Sequence, residues 1–174
     1  PLDILAAIGH GRSFGSKHRV LGRTLTGIAE CGIWPALHQR EAAPTVALIT
    51  DIGNDIVFWA SVQRIAGWVE QCLERLSPIA QAIVVTQLPL PSIFSVGRTR
   101  FFLARRILFP TSRLTRQEAF EKAAQLNERI VALTHSYGAH CASNDAEWYG
   151  MDPIHIRRRL YLRAFEQILE PWRG

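Results

Sequence analysis

Two short apolar runs with one long helical stripe between them constrain the fold of this chain more than any other feature. Residues 45–50 (TVALIT) and 81–87 (QAIVVTQ) are brief and apolar, the pattern of strands buried on both faces. Across 57–76, Phe58, Val62, Ile65, Val69, Cys72 and Leu76 recur every three or four residues and make one face of a helix. Strand, helix, strand in that order predicts a parallel pair joined by a crossover, because a tight turn cannot join parallel neighbours.

The remainder extends the pattern. Residues 3–9 (DILAAIG) and, more weakly, 139–143 (AHCAS) read as further strands. Residues 116–135 carry Ala119, Ala123, Leu126 and Ile130 on one helical face, and Thr115 with Glu118 forms a capping box at their start. A last helix is expected over about 157–170, with Leu160, Phe165, Ile168 and Leu169 inward. Residues 14–36 show no clear period and leave room for one short strand. Residues 88–114 begin with LPLPSIF and are rich in arginine and aromatics. The expectation is one α/β domain over 1–174, a three-layer sandwich around a parallel sheet of four or five strands. Its site would lie beyond the strands' carboxyl ends.

Composition narrows the function classes. A chain of 174 residues, 48% hydrophobic, can bury a core without staples. Cys31, Cys72 and Cys141 are odd in number, far apart and in no C-x-x-C pair, which argues against a disulfide framework or zinc site. No apolar run approaches the roughly 20 residues of a membrane span. The N-terminus enters a strand-like run at once, which points to a cytoplasmic protein without a signal peptide. The net charge of +5 is carried almost wholly by arginine, lysine occurring only at Lys17 and Lys122. Most arginines alternate with acids, with one denser group at Arg98, Arg100, Arg105 and Arg106. This distribution argues against a nucleic-acid partner. Within 98–109 the expected helix packs by its apolar side with its arginines in water, and the sharper option is a lid or interfacial segment.

The stretch IGHGRSFG, residues 8–15, supports two readings. Gly9-x-Gly11-x-x-x-Gly15 loosely matches a dinucleotide-binding turn, and Gly11-Arg12-Ser13-Phe14-Gly15 matches G-x-S-x-G, which exposes a nucleophilic serine. A dinucleotide turn needs an amphipathic helix directly after its glycines, to offer amides to the pyrophosphate. SKHRVLGRTL follows instead, without an apolar stripe, so the serine reading is preferred.

A nucleophilic serine needs a base, a group orienting that base and donors for an oxyanion. Asp152 and His155 in YGMDPIHIRRR are three residues apart, close enough for one turn to hold a carboxylate against an imidazole nitrogen. In LITDIGNDIVF an apolar strand stops at Asp51, and Gly53-Asn54-Asp55 occupies the turn before a helix, where Asn54 can aim its amide over the strand ends. Each motif alone has an ordinary explanation as a turn or cap. His135, His140 and Cys141 read as helix-end and strand residues rather than metal ligands.

A serine after the first strand, a central asparagine block and a late Asp-x-x-His resemble the SGNH, or GDSL-type, hydrolase family. The resemblance implies a flavodoxin-like sheet and hydrolysis of carboxylic esters or acylated small molecules, with no cofactor or metal. It implies Ser13 as nucleophile, His155 as general base and Asp152 as its orienting acid. The oxyanion donors would be the Ser13 amide, the Asn54 side chain and a glycine amide, Gly32 fitting best and Gly27 being the alternative. Arg12 stands where the family has aspartate, and Ile52 shifts the glycine of the asparagine block to Gly53. The rival reading is an inactive member of the same fold that binds an anionic ligand through Arg12.

Overall fold

The computed structural model describes residues 3–9, 11–15, 18–20, 23–108 and 112–173. Three strands, β3 (Val46–Ile49), β4 (Ala82–Thr86) and β5 (His140–Ala142), form a parallel sheet in the order β3-β4-β5. Upstream, β1 (His18–Val20) and β2 (Arg23–Leu25) pair as a separate antiparallel ribbon. That region was expected to hold a single short strand.

The parallel register runs Val46↔Ala82 to Ile49↔Val85, then Val84↔His140 to Thr86↔Ala142. Its ends are extended by the Gln81 amide on the Thr45 carbonyl at 2.8 Å and the Gln87 amide on the Ala142 carbonyl at 2.9 Å. β4 alternates as a central strand must. Ile83 and Val85 join the core beneath α2 (Val62–Leu76) and α5 (Arg116–Ser136). Val84 faces a second core of Trp148, Tyr149, Ala164 and Ile168, the last two from α6 (Tyr161–Ile168). Helices α2 and α5 pack together on one face, so the sheet has a helical layer on each side. An α/β architecture is therefore present.

The first expected strand is not formed. Residues 3–9 take no regular secondary structure, and Ile4 and Ile8 are 72% and 81% exposed. Among the described residues the run pairs with no strand and no element covers Ile4 or Ile8, so its apolar character does not make it a strand. The parallel sheet thus has three strands among the described residues rather than four or five.

The helical stripe is also shorter than expected. Residues Asn54–Phe58 form a 3-10 turn, Trp59 is left-handed (φ 67°), and α2 starts only after Ser61, whose hydroxyl accepts the Arg64 amide at 3.3 Å. Ser61 is a good N-cap, so the helix starts where its free amides first find an acceptor. Downstream the expectations hold. The Thr115–Glu118 capping box is complete, with the Thr115 amide donating to Glu118 at 2.8 Å and the Glu118 amide to the Thr115 hydroxyl at 3.2 Å. His135 lies in the last turn of α5, and His140 and Cys141 lie in β5. The last helix divides into a 3-10 turn, Arg158–Leu160, and α6.

Residues 88–114 contain α3 (Leu90–Phe94) and α4 (Arg98–Leu108), while Phe109, Pro110 and Thr111 lie outside the described residues. The expected packing of α4 by its apolar side is not met at Phe102 and Leu103, which are exposed, while Phe101 is half-buried. Among the described residues no helix is long and apolar enough to cross a membrane.

Candidate functional site

Beyond the carboxyl end of β3, the chain turns through Asp51, which takes a left-handed φ of 56°, and Gly53 at φ 125°. That reversal sends the next two side chains onto the 11–15 loop. The Asn54 amide donates to the Arg12 carbonyl at 3.0 Å, and the Phe14 amide donates to the Asp55 carboxylate at 2.6 Å. Ser13 is thus clamped on both sides by consecutive residues of one turn. The other edge of the loop is held by main chain, with the Ile28 amide on the Ser13 carbonyl at 3.0 Å and the Ala29 amide on the Phe14 carbonyl at 2.8 Å. Ser13 itself is only 2% exposed.

The glycines around Ser13 have packing reasons. A Cβ on Gly15 would lie 1.8 Å from the Trp68 ring, and one on Gly27 would lie 2.7 Å from the Gly15 backbone. Gly11 turns the chain with φ 64°. Strand β1 follows this loop, so the glycines do not open a helix and the dinucleotide reading lacks its anion site.

The two oxyanion glycines separate. Gly27 is wedged against Phe14 and Gly15, while a Cβ on Gly32 would meet nothing within 4 Å. Gly32 sits at the start of α1 (Ile33–Gln39) and borders a cavity of about 280 Å³ together with Arg12, Cys31 and Ala6. Arg12 donates from its terminal nitrogen to the Ile8 carbonyl at 3.2 Å. Its Nε is buried without an acceptor among the described residues.

Asp152 and His155 meet as their spacing predicts. One Asp152 oxygen accepts the Ile154 and His155 amides at 3.1 and 3.2 Å, shaping the turn, and the other lies 2.7 Å from His155 Nδ1. That pairing leaves Nε2 as the nitrogen able to take a proton from a nucleophile. The hydrogen bond to Asp152 raises the His155 pKa, against an opposing push from desolvation, and the charges of Asp152 and Asp51 add to the rise. Desolvation alone would raise the Asp152 pKa. The bonds from the His155 ring and the Ile154 and His155 amides outweigh it and hold the carboxyl below its usual value. The turn is anchored by the Arg157 amide on the Trp148 carbonyl at 2.8 Å and by Arg100 of α4 on the Gly150 carbonyl at 3.0 Å.

Asp51, at the head of the glycine–asparagine turn, lies in the electrostatic field of the Asp152–His155 pair. Four residues before Asp55, its carboxyl is raised in pKa first by desolvation, and it interacts electrostatically with both His155 and Asp152. The residue as a whole keeps solvent-exposed surface. The same carboxyl helps to raise the pKa of nearby Tyr149, whose phenol is pushed up chiefly by burial. The roles of Asp51 and Asp55 were not anticipated from sequence. The available signal was a carboxylate at each end of the glycine–asparagine turn, which reads equally well as ordinary turn chemistry.

Comparison with protein-family models, curated proteins and solved structures finds no match for the chain.

Proposed function

We propose that the protein is a serine hydrolase acting on a carboxylic ester or acylated small molecule, with Ser13 as nucleophile. The observation that carries this reading is the clamp on Ser13 from the same turn whose first residue, Asp51, interacts with the His155–Asp152 pair. His155 Nε2 removes the Ser13 proton as the hydroxyl oxygen bonds to the substrate carbonyl carbon. The same proton then passes to the departing alkoxide, leaving an acyl-serine. Water, activated in the same way, releases the acid and restores the serine. Asp152 holds the imidazole and stabilises its cation.

The oxyanion would be met by the Ser13 amide, the Gly32 amide and Asn54. An asparagine amide carries two N–H donors, and one of them serves the Arg12 carbonyl, so the second is available. Because Ser13 is buried, productive binding requires the Gly11–Gly15 turn to open toward the substrate. The flavodoxin-like form of the fold, with the site beyond the strand ends, belongs to the same proposal.

A second reading rests on Arg12. Its Nε lacks an acceptor beside a cavity, which favours a binding module for an anionic ligand on the same scaffold. Labelling with a fluorophosphonate, followed by peptide mapping, separates the two. Label on Ser13, abolished by Ser13→Ala and by His155→Ala, supports the hydrolase. Label on another serine, or none with the folded protein and a panel of small esters, overturns it in favour of the binding module.

A further inference from the structure

Residues 75–117 contain no aspartate or glutamate, while Arg98, Arg100, Arg105, Arg106, Arg113 and Arg116 crowd into their second half. The other 14 basic residues of the chain face all 15 acidic ones, so the net positive charge resides in these six arginines. Four of the six lie on α4, Arg113 lies in the link after it, and Arg116 opens α5. At the middle of α4, Phe102 and Leu103 are 51% and 57% exposed. Arg98 and Arg100 precede this apolar pair along the helix, and Arg105 and Arg106 follow it.

Several bonds hold the helix on the surface without covering it. Arg105 donates to the Ser112 carbonyl at 2.9 Å and lies 5.7 Å from the Phe102 ring centre, and Arg100 donates to the Gly150 carbonyl. A guanidinium has five N–H donors, so these bonds leave others available for an external anion.

We propose that α4 is an interfacial helix that docks the protein on an anionic lipid surface. Exposed phenyl and leucyl side chains bracketed by arginines suit a helix lying in the plane of a membrane, with apolar groups among the acyl chains and guanidinium groups at the phosphates. Charge complementarity selects the lipid class: six arginines with no acid among them call for a negative leaflet, each one near it strengthening binding roughly fivefold. A nucleic-acid groove would instead need stacking faces along a continuous basic track, and Leu103 and Ala104 interrupt such a track. Because Arg100 ties α4 to the turn carrying Asp152, the docked face borders the candidate site. The docking surface does not depend on Ser13 chemistry.

The test is co-sedimentation of the full chain with phosphatidylcholine vesicles, with and without phosphatidylserine, at two salt concentrations. The expected result is binding at least about tenfold tighter to the phosphatidylserine vesicles, weakened by salt. Arg106→Ala should weaken it roughly fivefold, and Leu103→Asp should nearly abolish it. Both positions are exposed, so thermal unfolding should confirm that each variant stays folded. Absence of binding, equal binding to neutral vesicles, or displacement from vesicles by duplex DNA at equal charge concentration would overturn the proposal. So would full binding by folded Leu103→Asp.

Discussion

The Asp55 carboxylate accepts the Phe14 amide at 2.6 Å from a position with no solvent exposure, fixing the residue after Ser13 from a turn 41 positions away in sequence. Removing it strands a buried backbone amide. Asp55→Ala should therefore destabilise the fold by about 2–4 kcal/mol, more than an exposed Asp→Ala change such as Asp3→Ala, which should stay within about 0.5 kcal/mol. Urea unfolding of both variants measures the difference. Equal midpoints would show that the clamp contributes nothing.

The packing of Gly15 and Gly32 predicts opposite outcomes for one chemical change. Gly15→Ala drives a methyl group into the Trp68 ring and should cost about 1–3 kcal/mol. Combining it with Trp68→Ala should recover part of that loss, a non-additivity readable in a double-mutant cycle. Gly32→Ala enters open space at helical φ (−65°) and should be neutral or stabilising by up to about 1 kcal/mol.

Asn54 serves the loop in the structure and the oxyanion in the proposed reaction. Asn54→Ala should lower kcat by about 100- to 1000-fold with little change in KM, while costing about 1 kcal/mol of stability for the lost bond to the Arg12 carbonyl. Ester turnover and thermal unfolding, measured on the same variant, separate the roles. Lost stability with normal turnover would assign Asn54 to the loop alone.

The Asp152–His155 pair predicts a titration and a sign. The His155 pKa is raised, so the imidazole stays protonated above its ordinary pH range, and base-dependent turnover should fall away from a higher pH than about 6.5. The raised His155 pKa contributes stability that is complete below the unfolded value and vanishes as pH rises through the folded one. The lowered Asp152 pKa contributes stability above its unfolded value, lost as pH falls through the folded one. Both side chains keep substantial exposure, so the pair should be worth no more than about 1 kcal/mol. Asp152→Asn should bring the His155 titration, followed by NMR of the ring protons, down toward its ordinary value. An unmoved titration would mean that Asp152 does not govern the imidazole.

Periodicity and short-range chemistry determined much of this protein from sequence alone. The runs at 45–50, 81–87 and 139–143 became the three parallel strands, the 116–135 stripe became α5 with its capping box, and Asp152 met His155. In each case the deciding interactions lie within one element or one turn, or follow from burial on both faces. Residues 3–9 stayed irregular, and Phe102 and Leu103 of α4 stayed exposed, because an apolar side chain is buried only if another element arrives to cover it. That is a property of the whole chain path rather than of the segment. Only the tertiary structure could put the Asn54 and Asp55 side chains on either side of Ser13. The contact needs a left-handed Asp51, a positive-φ Gly53 and a loop 41 to 42 residues upstream to coincide, and no local spacing encodes that meeting.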